Sequence, residues 1–312
     1  MRKQIAFIYP GQGSQIVGMG ESFLEDEKSR QFFDSADQVL EMELSKLMLE
    51  GPQEELTLTY HAQPALLTVS SMITERLIRA GVRPDYTAGH SLGEYSALVA
   101  SNVLEFPKAV EVVHKRGLFM NEAVPAGEGA MAAILGMDAG KLEEVTDDAT
   151  NSAGVVQLAN LNCPGQIVIS GTKAGVEKAC ELAKERGAKR AIPLDVSGPF
   201  HSELMRAASH DLAKVLSDSF LLNAKVPVVT NFKAEPETNA TQLQDMLIHQ
   251  LYSPVLWEQS VRKKIELGVT TFVEVGPGKV LSGLVKKIDR SVKVIPVYDL
   301  ESFEKAVEEL TT

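Results

Sequence analysis

Four short segments carry residue types that could do covalent chemistry. The first is Gly89-His90-Ser91-Leu92-Gly93, a serine with glycine two residues away on each side. It follows a strand-like "DYTAGH" (85–90) and precedes an amphipathic helical run, "LGEYSALVASNVL" (92–104). Strand, sharp turn and helix is the setting of a nucleophile elbow. Glycines are needed there because the serine backbone is strained and neighbouring chains come within contact distance of it. The backbone N–H of Leu92, at the start of the helix, has no intrahelical acceptor and could donate to a developing oxyanion. The same residues also fit a plain serine N-cap.

A serine hydroxyl is a poor nucleophile near neutral pH without a base. Among the six histidines, His201 in "VSGPFHSELM" stands in a turn, where a strand gives way to a helix that starts after Gly198-Pro199. A helix N-terminus disfavours imidazolium and would keep the ring neutral and able to accept a proton. His90 adjoins the serine, but neighbouring side chains diverge at an elbow, so it reads as a packing or hydrogen-bonding residue. His61, His114, His210 and His249 lie in helical patterns, where a lone histidine is usually a surface or satisfied core residue.

Arg116 is the third candidate. In "PKAVEVVHKRGLFMNEAV" the spacing Ala109, Val113, Arg116, Met120 puts its guanidinium on the apolar stripe of a helix, while Lys115 points away. A charge there snorkels to the edge, pairs with a protein carboxylate, or captures a substrate carboxylate in a bidentate fork. The fourth segment, Gly11-Gln12-Gly13-Ser14-Gln15, only superficially resembles a phosphate loop. Ile16 occupies the place of the third glycine in GxGxxG, and no Gly-Lys-Ser/Thr follows. What is left is a turn at a strand's end, either a tight turn alone or one that lets the Gln12 backbone serve as a second oxyanion donor.

Short apolar runs alternating with longer amphipathic segments must position these residues, the pattern of an α/β protein with parallel strands. "QIAFIYP" (4–10), "DYTAGH" (85–90), "VPVVTN" (226–231), "TTFVEVG" (270–276) and "VKVIPV" (292–297) are the strand candidates. Turns at the carboxyl ends of such strands line the binding crevice, which makes Gln12, Ser91 and Gly276–Gly278 expected neighbours. Residues 127–198 read in the order β-α-β-β-α-β, a ferredoxin-like subdomain inserted into a catalytic body of residues 1–126 and 199–312. Its first and last strands should lie side by side, with a cleft between the two parts.

Composition excludes several classes. A net charge of −11, 6% aromatic residues and a single tryptophan oppose nucleic-acid binding. No apolar stretch approaches the roughly 20 residues of a membrane span. The opening "MRKQIAFIYPGQG" has a basic pair and a short apolar run that breaks at Pro10, which fits a buried strand better than a signal peptide. Only Cys163 and Cys180 are present, without metal-ligand spacing, and two thiols in 312 residues point to a reducing, cytoplasmic compartment.

"GQGSQ", "GHSLGE", "HKRG" and "GPFHS", in that order, together resemble the malonyl-CoA:acyl carrier protein transacylase family of fatty-acid synthesis. The similarity runs from Ile5 to about Val297 and includes "NCPGQIVISG" and "QLYSPVLWEQSV". The resemblance implies an α/β-hydrolase-like parallel-sheet body with an inserted ferredoxin-like subdomain and a ping-pong acyl transfer. Ser91 attacks the malonyl thioester with His201 as base, coenzyme A leaves, and the malonyl ester passes to the phosphopantetheine thiol of an acyl carrier protein. Neither a metal nor a bound cofactor is implied.

In that family backbone N–H groups at the positions of Gln12 and Leu92 hold the oxyanion, and Arg116 pairs with the malonyl carboxylate. The resemblance also implies that the backbone carbonyl at Gln250 orients His201, so that Asp195 and Asp211 are not required as a third acid. By the same resemblance Phe200 is expected to be the bulky neighbour that would collide with an α-methyl group, and Asn162 and Gln63 are expected to line the pocket. There are two rival readings: a serine esterase or thioesterase built on the same elbow, although a hydrolase for neutral esters would have no use for a buried guanidinium, and, from another class, a non-catalytic acyl-carrier binding module. Lys189 and Arg190 are the expected carrier-docking cations, with residues 262–264 and 286–287 as alternatives.

Overall fold

The computed structural model describes residues 4–311, so the Arg2-Lys3 pair lies outside the described residues. The "QIAFIY" run forms β1 (Gln4–Tyr9), the strand on which the rest of the sheet is built. Its residues 6–9 are all buried, as a parallel strand covered on both faces requires. The period of two is still visible. Phe7 and Tyr9 join the large core beneath the Thr59–Arg79 and Phe106–Glu122 helices, whereas Ala6 and Ile8 join the core around Trp257 and Phe272 on the opposite face.

Further strands are β2 (Tyr86–Gly89), β3 (Gly129–Leu135), β4 (Val156–Cys163), β5 (Gln166–Thr172), β6 (Arg190–Pro193), β7 (Val228–Val229), β8 (Pro236–Glu237), β9 (Val269–Val275) and β10 (Lys293–Val297). The first sheet has the order β10-β9-β1-β2-β7-β8, parallel except for β8 at its edge. The strand expected at 226–231 pairs only over Val228–Val229, after which Thr230 and Asn231 turn away toward the end of β2. β8 spans two residues, too few for any hydrophobic period to reveal.

The second sheet has the antiparallel order β4-β5-β3-β6 and is backed by the Ala139–Ser152 and Lys173–Glu185 helices. Asp138 and Thr172 cap those helices, each side-chain oxygen accepting a backbone N–H of the first turn. First and last strands pair, β3 with β6, as expected of a ferredoxin-like unit. The last strand is shorter than the apolar run suggests: the ladder ends at Pro193, and the N–H of Leu194 makes a last bond to Met131 O of β3 before the chain moves on. The resulting architecture is an α/β-hydrolase-like parallel sheet carrying a ferredoxin-like second sheet.

The two sheets are joined by backbone. Val255 donates to Ala159 O at 2.8 Å and accepts from Leu161 N at 2.9 Å, a parallel bridge between the body and β4. The helix after Ser91 departs from the amphipathic expectation. It spans Gly93–Ala100, and Gly93 to Leu98 are all buried because it is wedged between the sheet and the two long helices. It stops where Asn102 takes a φ of 57°. Among the described residues no helix is long and apolar enough to cross a membrane.

Candidate active site

β1 and β2 run side by side in register, Tyr9 opposite Gly89, so the loops that follow them meet. Glycine makes that meeting possible. A Cβ on Gly89 would overlap the backbone of Gly93, and one on Gly93 would overlap the carbonyl of Tyr9. Between these two glycines Ser91 adopts a φ of 52°, a left-handed conformation that costs a side-chain-bearing residue about 1–3 kcal/mol. The strain is offset by Asn231 at the end of β7. Its Oδ1 accepts Ser91 N–H at 2.7 Å, and its Nδ2 donates to Gly89 O at 2.6 Å.

His201 brings its Nε2 to 2.8 Å from Ser91 Oγ. Its Nδ1 lies 2.8 Å from the backbone carbonyl of Gln250, which can only accept, so Nδ1 carries the proton and Nε2 is left to accept the serine proton. The ring is almost sealed from water at 3% exposure. Burial, and after it the positive charge of Arg116, push its pKa down to about 3, against the upward pull of the Gln250 carbonyl. The neutral ring was expected, but from a helix N-terminus; burial and a neighbouring cation are the physical causes. Among the described residues no acid completes a triad: Asp195 is exposed, and Asp211 pairs with Lys214 at 2.8 Å on the surface.

The guanidinium of Arg116 is fully buried, and each of its contacts is to a neutral group. Nη1 donates to Gln63 Oε1 at 2.7 Å, and Nη2 donates to Gln250 Oε1 at 2.9 Å and to Ser91 Oγ at 3.2 Å. The ring of Tyr95 lies under it at 5.4 Å, and Nε has no partner. Among the described residues no carboxylate comes within ion-pairing distance of it. Pairing with a protein carboxylate is therefore not what holds this cation, and its Nη2 reaches the nucleophile directly.

Gln12 sits in the loop after β1, its side chain donating to Thr59 Oγ1 at 3.1 Å. Among the described residues neither its N–H nor that of Leu92 has a protein acceptor. Gly276, at the end of β9, packs against Pro10 and Ser70, and Gly278 faces Ser14, so the expected neighbourhood of the three turns is present. Gln63 is buried, bridging Arg116 and the Met120 sulfur. Phe200 is buried beside Gly198, next in the chain to His201. Asn162 meets His90 rather than the nucleophile, with 2.8 Å between its Oδ1 and His90 Nε2, while the His90 ring leans on Trp257.

Two functional neighbours were not singled out from the sequence. Glu94, one turn past Ser91, is buried and accepts from Asn231 N and from Gln250 Nε2, each at 3.0 Å. Gln250 Nε2 also reaches Ser91 O at 3.0 Å. An acidic residue inside an otherwise apolar helix start was the available signal for Glu94; Asn231 offered none beyond ending a strand. Of the basic clusters, Lys189 and Arg190 are exposed on and beside β6. Lys264 is not a surface cation at all, being fully buried against Trp257. Arg262 and Lys263 are held by Glu258 and by Glu235 with Glu266.

Comparison with known proteins agrees with this geometry. A protein of Bacillus subtilis named malonyl CoA-acyl carrier protein transacylase is 60% identical over 308 residues, spanning 98% of this chain and 97% of its own length. The crystal structure of an acyl carrier protein S-malonyltransferase from Vibrio cholerae superposes with a TM-score of 0.95 at 43% identity, covering 97% of this chain and 100% of that one. A structure described as a type II PKS acyl-carrier protein in complex with its malonyl-transacylase matches with a TM-score of 0.95 at 40% identity, over 98% of this chain and 100% of that one. The acyl transferase domain model matches residues 6–304, nearly the whole chain, and the protein belongs to that family.

Proposed function

We propose that this chain transfers a malonyl group from malonyl-CoA to the phosphopantetheine thiol of an acyl carrier protein, by way of a malonyl ester on Ser91. One observation carries the reading: a fully buried arginine that no carboxylate among the described residues contacts stands 3.2 Å from a serine that is hydrogen-bonded to a neutral histidine. A neutral ester offers nothing to such a guanidinium, whereas a malonyl thioester presents a carboxylate two bonds from the carbonyl under attack. The names of the relatives point the same way.

In the first half-reaction Ser91 Oγ adds to the thioester carbonyl as its proton passes to His201 Nε2. The oxyanion is received by the free N–H groups of Gln12 and Leu92. Collapse expels the coenzyme A thiolate, which takes the proton from His201. The second half-reaction runs the same steps backwards from the carrier thiol. Arg116 also acts on the base: its charge is the second cause of the low His201 pKa. A substrate carboxylate on Arg116 cancels part of that charge and makes His201 a better base once the correct acyl group is bound.

On this reading Gln63 and Gln250 hold the guanidinium, the Gln250 carbonyl fixes the histidine tautomer, and Phe200 crowds the space beside the α-carbon. Asn162 shapes the pocket through His90. The chemistry calls on no metal or prosthetic group, because the phosphopantetheine arrives on the carrier. We also assign residues 127–198 as a ferredoxin-like subdomain inserted into the catalytic body of residues 1–126 and 199–312. A reducing cytoplasmic location fits the two free thiols, Cys163 and Cys180.

Incubation with malonyl-CoA, with and without carrier protein, tests the proposal. The expected result is a stable malonyl adduct mapped by mass spectrometry to Ser91 and discharged only when carrier is added. Rapid loss of the thioester to water without an acceptor would instead mark an esterase. Undiminished transfer by Ser91→Ala would mark a binding module.

A further inference from the structure

Arg116 and Glu94 are both sealed from solvent, at 0% and 1% exposure, and they do not touch. The Gln250 side chain stands between them. Its Oε1 accepts from Arg116 Nη2 at 2.9 Å, and its Nε2 donates to Glu94 Oε2 at 3.0 Å. The same Oε2 accepts Asn231 N–H at 3.0 Å, and Oε1 has no partner. A carbonyl end toward the cation and an amide end toward the anion is the orientation both charges favour. With Glu94 ionised, the free site holds one cation and one anion, joined through an amide.

A malonyl ester on Ser91 brings a second carboxylate to Arg116, on the reading proposed above. The corner would then hold two anions and one cation out of water, and like charges in such a medium favour protonation of one of them. The groups facing Glu94 leave no second cation. The Phe106–Glu122 helix contributes only Arg116, and the helix of Glu94 itself contributes Tyr95, whose hydroxyl burial pushes up to about 12. The turn at His201 contributes a neutral ring; Gln250 and Asn231 are uncharged.

We infer that Glu94 is a positioning residue that balances charge: ionised, it offsets Arg116 in the free enzyme, and it takes up one proton from solvent when the malonyl carboxylate docks. Burial already raises Glu94 to about 7 before any substrate anion arrives, so the added charge pushes further in the same direction. Loading itself is proton-neutral, since the serine proton leaves on the coenzyme A thiol. The extra proton belongs to malonyl loading and is absent from acetyl loading.

Two measurements on the whole protein test this. In weakly buffered solution near pH 8, an indicator dye reads proton uptake as excess malonyl-CoA or acetyl-CoA loads Ser91. Malonyl should consume up to one proton per ester more than acetyl. In stopped-flow loading, the malonyl-to-acetyl ratio of kcat/KM should fall by about tenfold per pH unit above neutrality in the wild type and stay flat in Glu94→Gln, which keeps an acceptor oxygen but cannot titrate. Phosphate ionisations of coenzyme A are common to both substrates and cancel in the ratio.

Equal proton counts for the two substrates overturn the inference. So does a pH course that survives in Glu94→Gln, because another group would then be titrating, and so does a ratio already flat in the wild type, because a mere buttress would lower both substrates together. If that variant does not fold, the wild-type proton count decides alone. Absence of any ester at Ser91 would overturn the proposed function instead, a result that mass spectrometry separates from the others.

Discussion

Asn231 accepts the N–H of Ser91 at 2.7 Å while donating to the carbonyl two residues earlier, so one side chain clamps both sides of the nucleophile turn. Replacing it with alanine leaves a buried donor and a buried acceptor unpaired, each worth about 1–3 kcal/mol. Asn231→Ala is expected to lower the denaturation midpoint. It should also slow malonyl and acetyl loading by similar factors, since the clamp acts on Ser91 and not on the acyl group. Loading rates for both thioesters, set against urea unfolding, check this.

Arg116→Ala should separate the two substrates. Truncating one partner of a buried hydrogen-bonded charge pair costs about 2–5 kcal/mol, or roughly 30-fold to several thousandfold in rate. That loss is expected for malonyl loading, with acetyl loading changed far less. Steady-state kcat/KM with the two thioesters reads it directly, and an equal loss for both would make Arg116 a structural residue.

Gly89→Ala tests the close approach of the turn. Its Cβ would collide with the Gly93 backbone, which has no room to retreat because Gly93 itself is pressed against Tyr9 O. Destabilisation of at least about 3 kcal/mol is expected, beyond the ordinary range of overpacking. Gly13→Ala is the matched control: its φ of 104° also strains an alanine, but a Cβ there meets nothing within 4 Å. Its effect should stay near 1–3 kcal/mol or below, roughly the cost of the backbone conformation alone. Chemical denaturation of both variants compares them.

Lys264 predicts a pH-dependent stability. Its ammonium has no hydrogen-bond partner, only the Trp257 ring at 5.2 Å, and burial lowers its pKa from 10.5 to about 7. Between those two values the unfolded chain binds a proton that the folded protein releases. Stability therefore rises with pH across that window, and at pH 7 and below the full penalty is present. Lys264→Met, similar in volume, should stabilise the protein by on the order of a few kcal/mol at about pH 7, the gain shrinking toward about pH 10. Urea titrations at the two pH values measure the difference.

The catalytic corner was legible where chemistry leaves a local pattern. Glycines two apart around Ser91 report a turn that other residues would block, and the position of Arg116 on an apolar stripe reports a buried cation. The strand order of the second sheet was legible too, since each element carries its own period. Glu94 and Asn231 were not, because their roles exist only through partners 137 and 140 residues away along the chain. Lys264 misled for the same reason. Preceded by Arg262 and Lys263 it reads as part of a surface patch, and only the tertiary fold decides which way one turn of helix faces. The neutrality of His201 was anticipated but its cause was not, since burial and the charge of Arg116 are properties of the assembled site.

The bridge at Val255 gives the histidine a mechanical attachment. Val255 is clamped to β4 through both its N–H and its carbonyl, five residues after the carbonyl of Gln250 that steers His201. The two lobes thus cannot part like a hinged shell while the base stays still. Any swing of the second sheet tugs a short tether whose other end is the hand that holds the imidazole.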